Sequence, residues 1–457
     1  SKRGGRYLGV RVEEELFSVE KAMLAESSEY FRALFDSGMR ECSQQEIRVQ
    51  GLTARGFRIL LQVLAGERPI LAGEEIIDAI ECAAFLIAKP LSEHMVHTIS
   101  SSNCVLMFQA AATYGLFDLT QASALFMRDL YPNVREELRC LPKDELSYIE
   151  SFSPSTLVSV ATHTPSQGFL DDVFRTFCYL DEGENVWKTL TALPDKATTS
   201  LAGVTMMGNN IYIVGGVCAY NKRLVEFSFC YNTAEDRWNE FPCPQQLRYS
   251  LTLTGQDGSL YALGGMYQNV ALASVERYQV ATSTWSSAAH LPRPAESVAC
   301  TRAMGRIFVC LWLPMDTTDI YEYRCAEDTW ALVTTLRRPQ SYGHCMVAHA
   351  DNLYVMRNGP ADDFLRCAID CFNLTRHQWS ALSGQYVNSK GALFTAVVRG
   401  DSVLTVNRML TLVYDIQNDK WKPAKEKRGF PRSGSMHTFL LRLPNQRPAA
   451  LHPELPS

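Results

Sequence analysis

The chain has 457 residues, 46% of them apolar and 20% charged, and its formal net charge is −5. This composition is that of an ordinary soluble protein of roughly two to four domains. The near-neutral charge argues against a protein that grips nucleic-acid phosphates over a large surface. The longest apolar runs have the length of strands, so no membrane span is predicted.

The opening SKRGGRYLGV carries basic residues with no apolar core behind them, and it predicts no secretory signal. The 14 Cys residues stand singly, and no Cys-x-x-Cys pair occurs. We therefore expect neither a disulfide framework nor a zinc site, but buried thiols in a reducing, cytoplasmic setting.

The first third of the chain, residues 1–152, shows helical periodicity after a β-rich opening at Tyr7–Phe17. The stretch SSEYFRALF places four apolar side chains on one helical face behind Ser caps: Tyr30, Phe31, Leu34 and Phe35. Further helices are predicted at TARGFRILLQVLAG (53–66), which ends at a Gly stop signal, EEIIDAIECAAFLI (74–87), NCVLMFQAAATYGL (103–116), LTQASALFMRDLY (119–131) and PKDELSYIESF (142–152).

From residue 179 onward, an aromatic residue and a Trp recur as a spaced pair. The pairs are Tyr179/Trp187, Tyr231/Trp238, Tyr278/Trp285, Tyr323/Trp330, Phe372/Trp379 and Tyr414/Trp421. The spacing is eight in the first pair and seven in the others, and successive Trp residues lie 51, 47, 45, 49 and 42 positions apart. Such a period indicates a repeat architecture.

Each repeat also carries a short run of β-formers, such as IYIV (211–214) and LYAL (260–263), and two of these runs end in Gly doublets. Gly at 215–216 and 264–265 suits a strand end where backbones crowd or φ turns positive. Four short strands in each repeat are typical of a β-propeller blade, in which the aromatic residue and the Trp pack between neighbouring blades. The strand at 435–443 would complete a sixth blade with three strands from 156–190, which removes a free edge.

The Gly doublet, Tyr and Trp in this order resemble the kelch repeat, over roughly residues 155–443. The first third resembles the BTB (POZ) fold through Leu24, Ser27-Ser28, Tyr30-Phe31, Phe35 and GMRE at 38–41, and SSNCVLMFQAAATYGLFDL resembles the BACK segment or 3-box. This order of domains is that of the kelch-like adaptors of the cullin-3 ubiquitin ligase. The fold class that the resemblance implies is multidomain α+β: a BTB domain at 1–98, truncated BACK helices at 99–152, a six-bladed all-β kelch propeller at 153–443 and a flexible tail at 444–457.

The resemblance also implies a cullin-3 contact, which maps onto Phe35, Met39 and Glu41. An apolar knob beside a carboxylate is a plausible anchor for a groove, although Met39 and Glu41 could equally pack and be solvated without binding. Tyr7 and Glu20 stand where the family has Asp and His, and that Asp supports the family's dimer interface. The sequence therefore leaves a homodimer through the BTB domain open.

No hydrolase elbow, phosphate loop, metalloprotease motif or dinucleotide motif occurs, so we expect no enzyme and no cofactor. The propeller loops instead carry residue types that are common at binding hot spots: Tyr220, Arg248, Tyr249, Tyr267, Arg338, Tyr342, Lys390, Arg408 and Arg432. The Arg and Lys among them predict a partner with an acidic segment. Alternatively, the Arg residues hydrogen-bond loop carbonyls as a feature of the repeat.

Two functions follow from the sequence. The first is a non-catalytic adaptor whose BTB and 3-box region binds cullin-3 while the propeller binds a protein to be ubiquitinated. The second is a structural protein that binds cytoskeletal filaments such as actin, with muscle as a plausible setting. Either would act in the cytoplasm, without nucleic acid or membrane as a partner.

Overall fold

A computed structural model describes residues 5–38, 44–162, 177–197, 199–218, 223–312, 317–337, 342–358, 366–382, 386–387, 395–406, 411–424, 427 and 435–443. The chain divides into two compact units, Ser1–Phe152 and Ser153–Ser457. The described part of the first unit is mostly helical, and that of the second consists mostly of strands.

The first unit combines a small sheet with a series of helices. The strands are β1 (Tyr7–Val12), β2 (Glu15–Glu20) and β3 (Glu46–Val49), and the helices are α1 (Lys21–Ser27), α2 (Glu29–Asp36), α3 (Ala54–Leu64), α4 (Glu74–Phe85), α5 (Lys89–His97), α6 (Cys104–Tyr114), α7 (Phe117–Leu138) and α8 (Lys143–Glu150). Strand β1 pairs antiparallel with β2 and parallel with β3. Alternate residues of β1 point into one hydrophobic core, which continues through the helices to Ile149.

The sequence signals at the helix ends have a physical basis in this unit. The Ser28 hydroxyl caps α2 by accepting a hydrogen bond from the Phe31 N–H, and it donates one to the Leu86 carbonyl at 2.6 Å. The predicted Gly stop is confirmed, because α3 ends at Leu64 and Gly66 has a φ of +90°. Phe31 is fully buried, while Tyr30, Leu34 and Phe35 pack against the core from its edge.

In the second unit, the described strands form six main antiparallel sheets, each a meander of four strands. We number them in chain order: sheet 1 (Gly203–Met207, Asn210–Val214, Phe227–Asn232, Arg237–Pro242), sheet 2 (Thr252–Gln256, Ser259–Leu263, Val275–Gln279, Thr284–Ala288), sheet 3 (Ala299–Ala303, Arg306–Trp312, Thr317–Arg324, Thr329–Arg337), sheet 4 (Tyr342–His349, Asn352–Asn358, Arg366–Asn373, Gln378–Ala381, with Tyr386–Val387 added to the third strand), sheet 5 (Thr395–Arg399, Ser402–Val406, Thr411–Asp415, Lys420–Pro423) and sheet 6 (Ser435–Leu441, Thr156–Thr162, Phe177–Asp181, Val186–Thr191). Two short two-stranded antiparallel pairs accompany them: Thr199–Ser200 with Val217–Cys218, and the hairpin of Met266–Tyr267 with Val270–Ala271.

Hydrophobic clusters lie between consecutive sheets. One joins sheets 1 and 2, and others join 2 to 3, 3 to 4, 4 to 5, 5 to 6, and 6 back to 1. The first strands of all six sheets line a common cavity of about 610 Å³. Each sheet therefore buries both of its faces against neighbours, which a single four-stranded sheet could not do alone.

The spaced aromatic–Trp pairs are direct cross-strand neighbours in sheets 1 to 5. Their ring centroids lie 4.9–5.2 Å apart. The residue two positions before each Trp has a positive φ: Asp236, Ser283, Asp328, His377 and Asp419. Where this residue is Asp, it accepts a hydrogen bond of 2.5 Å from the hydroxyl of the paired Tyr. The repeat thus encodes a tight hairpin with two large side chains on one face.

Sheet 6 corrects the first pair of the series. Trp187 lies opposite Leu180, while Tyr179 lies opposite Lys188. Counted from Leu180, the spacing in this repeat is seven, as in the other five. The sequence pattern selected Tyr179 because it is the nearest aromatic residue, but the register places a Leu in the equivalent position.

The Gly doublets adopt the positive φ values that the sequence predicted, with +71° at Gly215 and +55° at Gly264. A Cβ atom on Gly215 would lie 2.5 Å from the Arg248 carbonyl oxygen, and one on Gly264 would collide with the Ala295 carbonyl oxygen. Each doublet therefore lets a loop of the next sheet approach the strand end closely.

We expect Gly264→Ala to lower the free energy of unfolding of the second unit by about 2–4 kcal/mol, since it combines backbone strain with a collision. Tryptophan fluorescence during urea unfolding measures this directly, because the 7 Trp residues all lie between 187 and 421. Gly258→Ala is the matched control, as Gly258 has a φ of +74° but open space around a Cβ. Equal losses in the two variants would exclude the close approach as the cause.

Candidate partner-binding surfaces

Of the three predicted cullin contacts, the structure describes Phe35. Its ring is half-buried near the end of α2, stacked on Phe31 at 6.0 Å, with the Lys21 ammonium 5.8 Å from the ring centroid. Met39 and Glu41 lie outside the described residues, so their role stays a prediction. Phe35 keeps part of its ring accessible for a partner.

A groove of about 600 Å³ lies in the first unit between the start of α2, the α4–α5 connection and the α6–α7 corner. Two apolar side chains of its lining are exposed, Ile87 at 53% and Tyr114 at 40%. Phe117, between two lining residues, is 69% exposed. Large apolar side chains clustered at an open groove are typical of a protein-binding surface.

Ile87 adopts a strained conformation in this groove, with a φ of +48°. Such values cost a β-branched residue about 1–3 kcal/mol and persist only where the surroundings enforce them. Here the enforcement comes from α2, because the Glu29 N–H donates to the Ile87 carbonyl and the Tyr30 N–H donates to the Leu86 carbonyl. The strain presents an isoleucine side chain to solvent at the groove.

The ionisable side chains around this groove are mainly acidic. Its lining includes four carboxylates and two cations: Glu26, Glu29, Glu93 and Asp118, with Arg32 and Lys89. The formal charge of the lining is therefore −2. An apolar segment flanked by basic residues fits this combination. The sequence did not lead us to predict this groove. The signal that could have indicated it is YGLF at 114–117, which places three large apolar residues at the junction of two helices.

Arg248, predicted as a partner contact, is instead buried inside the second unit. Its side chain is 0% exposed and forms an ion pair of 2.8 Å with Glu276. Its guanidinium also donates to the carbonyls of Gly264 and Ser274, at 2.9 and 2.8 Å. Burial lowers the pKa of Arg248, and the hydrogen bond to Glu276 opposes that shift. In this structure Arg248 therefore joins two loops and offers nothing to a partner, which is the alternative that the sequence left open.

Arg293 and Arg357 repeat this arrangement in other sheets. Arg293 donates to the Leu311 carbonyl at 2.9 Å and pairs with Asp319 at 3.1 Å. Arg357 pairs with Asp370 at 2.9 Å, and both side chains are largely buried. The charges of Arg248, Arg293 and Arg357 are thus neutralised within the chain.

The other predicted contacts divide into three groups. Tyr249 and Tyr267 are partly exposed and lie in neighbouring loops of sheet 2. For Tyr342 the structure describes the backbone, at the start of sheet 4. The remaining predicted contacts lie outside the described residues: Tyr220, Arg338, Lys390, Arg408 and Arg432.

The cavity shared by the six sheets is lined mainly by hydroxyl, thiol and aliphatic side chains, together with Arg302, His437 and Phe439. Burial raises the pKa of Cys300 to about 12 and that of Cys345 to about 11. These thiols therefore stay protonated, which makes them poor nucleophiles and poor metal ligands. Within the described residues, no group of three or more His, Cys, Asp or Glu side chains could hold a metal ion. In the same residues, no helix is both long and apolar enough to cross a membrane.

His437, on the first strand of sheet 6, lines this cavity, and burial lowers its pKa to about 4. The imidazole of His437 takes up a proton at about pH 6.5 in the unfolded chain but only near pH 4 in the folded chain. The free energy of unfolding is therefore highest above pH 6.5 and decreases as the pH falls from 6.5 to 4. We expect the unfolding midpoint of the second unit to decrease when the pH is lowered from 6.5 to 4. In His437→Gln the fall should be smaller. An unchanged profile in that variant would contradict this assignment.

Comparison with known proteins places both units in characterised families. The BTB/POZ domain family matches residues 8–103, and the Kelch motif family matches residues 247–292. The chain is 54% identical over 435 residues to kelch repeat and BTB domain-containing protein 13 of Homo sapiens, which covers 95% of this chain and 94% of that protein. The Mus musculus protein of the same name is 52% identical over 436 residues, covering 95% of each. Kelch-like protein 42 of Homo sapiens is 26% identical over 519 residues, covering 96% of this chain and 98% of that protein.

Proposed function

Since the chain belongs to the family of BTB–kelch proteins, we propose that it is the substrate-recognition adaptor of a cullin-3 RING ubiquitin ligase. The BTB and 3-box region would bind cullin-3, and the kelch repeats would bind the protein to be ubiquitinated. The adaptor itself performs no chemistry. It raises the concentration of the substrate beside the ligase, in the cytoplasm.

In this proposal the six sheets are the blades of one closed kelch propeller. Two observations support closure: the hydrophobic cluster between sheets 6 and 1 resembles those between the other neighbours, and all six first strands share one cavity. Sheet 6 combines the strand Ser435–Leu441 with three strands from Thr156–Thr191, which would join the two ends of the ring. The proposed domains are 1–98, 99–152 and 153–443, followed by a tail at 444–457.

The groove of the first unit supports the contact with cullin-3. It exposes apolar side chains at Ile87, Tyr114 and Phe117 at a cost in solvation, and the strained backbone of Ile87 directs one of them to solvent. Phe35, Met39 and Glu41 extend the proposed contact beyond the end of α2. This apolar surface is the observation on which the adaptor function mainly depends.

Self-association through the BTB domain is part of the proposal. Tyr7 lies opposite Glu20 in the β1–β2 pair, and the Glu20 carboxylate forms an ion pair with the Arg6 guanidinium at 3.4 Å. Tyr7 and Leu16 are both exposed on the outer face of this sheet. A second copy could cover these two side chains even though the Asp and His of the family are replaced.

Size-exclusion chromatography of the full chain with the cullin-3 N-terminal domain tests the adaptor function. We expect one co-eluting complex, which should be lost in Met39→Ala/Glu41→Ala. Co-sedimentation with actin filaments, done on the same preparation, distinguishes the structural alternative. Sedimentation with filaments and no complex with cullin-3 would replace the adaptor function by that alternative.

A further inference from the structure

Leu201 occupies a costly position at the mouth of the shared cavity. Its φ is +59° and its side chain is 39% exposed. The equivalent residues before the first strands of sheets 2 and 3 are Ser250 and Ser297, with φ values of +52° and +49°. The Ser250 N–H donates to the Leu201 carbonyl at 2.7 Å, and the Ser297 N–H donates to the Ser250 carbonyl at 2.8 Å. The linked backbone requires the conformation but not the leucine side chain, since Ser occupies the equivalent position in sheets 2 and 3.

A second exposed apolar side chain lies in the neighbouring loop. Val270, 63% exposed, lies opposite Tyr267 in the short hairpin whose turn is Gln268-Asn269. Both turn residues have positive φ, which makes the hairpin tight. Its other strand is fixed to Tyr249 by two backbone hydrogen bonds between Tyr249 and Met266, at 3.0 and 2.7 Å.

Backbone hydrogen bonds and strand pairing connect the segments that carry four residues, which we call the Leu201 patch: Leu201, Tyr249, Tyr267 and Val270. Tyr249 directly precedes Ser250, which is bonded to Leu201, and the Tyr249 hydroxyl donates to the Asn269 side chain at 3.2 Å. A hydroxyl can donate once and accept twice. Tyr249 uses its donor, while the Tyr267 hydroxyl accepts from Gln268 at 3.5 Å. Both rings therefore combine apolar area with hydrogen-bonding capacity, as tyrosines at binding hot spots do.

The charges around the patch disfavour an acidic partner. Of the described cations of the adjoining loops, Arg248 and Arg293 point into the protein and face Glu276 and Asp319, while Arg223 is exposed with the exposed Glu226 three positions away. Glu296, directly before Ser297, is exposed and negative. An acidic segment would meet repulsion here, whereas an uncharged apolar segment would lose little on desolvation.

We propose that the Leu201 patch binds an extended, uncharged segment of the partner protein through a branched or aromatic apolar side chain. This proposal deepens the proposed function, because it specifies the chemistry that the propeller face recognises. The apolar anchor packs between Leu201 and Val270, and the two tyrosine hydroxyls bind the backbone of the segment. Because few charges take part, the affinity is nearly independent of salt.

A displayed library of random 12-residue peptides, selected on the full chain, tests this. Peptides enriched on the native chain should carry Leu, Ile or Phe and no excess of Asp or Glu. Their affinity should fall by about tenfold or more in Leu201→Asp/Val270→Asp, as for the loss of a hot-spot contact. Val280→Asp, an exposed valine in the third-to-fourth strand hairpin of sheet 2, is the matched control and should have no effect.

Three results would overturn the proposal: enrichment of acidic peptides, binding that survives the double substitution, or no enriched peptide at all. Binding of the cullin-3 N-terminal domain is measured on the same preparation. If that complex forms while the patch fails, the adaptor function stands and only the assignment of the patch is wrong.

Discussion

Replacing Arg248 by Met is expected to lower the free energy of unfolding of the second unit by about 3–5 kcal/mol, since it removes one partner of a buried ion pair. Glu276 would keep a buried charge with no cation beside it, and the Gly264 and Ser274 carbonyls would each lose the hydrogen bond from the guanidinium. Met keeps an unbranched apolar stem at this position but lacks the charged guanidinium group. Tryptophan fluorescence during urea unfolding measures the loss.

Two further variants separate the buried pair from a general effect of removing an arginine. Arg237→Met removes an exposed arginine in sheet 1 and should change stability by less than about 0.5 kcal/mol. Glu276→Gln added to Arg248→Met should restore about 1 kcal/mol or more, because the uncompensated charge is gone. An Arg248→Met chain as stable as the native one, or one whose loss Glu276→Gln does not reduce, would show that the pair contributes nothing.

The double substitution Tyr114→Asp/Phe117→Asp is expected to weaken binding of the cullin-3 N-terminal domain by about 30-fold or more. Both side chains are exposed, so the change should leave the fold intact while it places two charges where apolar contact is required. Biolayer interferometry on the immobilised full chain measures the change in Kd.

Ile70→Asp provides the control for that experiment within the same unit. Ile70 is comparably exposed but does not line the groove. It should leave the affinity for cullin-3 unchanged. Equal weakening by both changes would mean that added negative charge, and not the groove, determines binding.

Local sequence patterns were sufficient to predict much of the fold. The aromatic–Trp spacing predicted the hairpins of the third and fourth strands, because a cross-strand pair and a tight turn depend on residues within one short segment. The Gly doublets predicted positive φ for the same reason. The exception was Tyr179, because Trp187 pairs with Leu180 at the same spacing as in the other repeats and the sequence pattern selected the adjacent aromatic residue instead.

The binding surfaces were less predictable, since they depend on contacts between distant segments. Arg248 has the sequence context of an exposed loop cation, yet Glu276, 28 positions away, holds it inside. The strain at Ile87 arises from hydrogen bonds with the start of α2, which the local sequence does not encode. Tyr249 and Tyr267 were expected in loops, but Leu201 and Val270 were not singled out because isolated apolar residues in loops are common.

Isothermal titration calorimetry of the full chain with the cullin-3 N-terminal domain tests the central claim most directly. The adaptor function predicts a Kd below about 1 µM and one cullin-3 domain bound per chain. If no heat of binding is detected while tryptophan fluorescence shows a cooperative unfolding transition, the chain is folded and does not bind cullin-3, which would contradict the adaptor function.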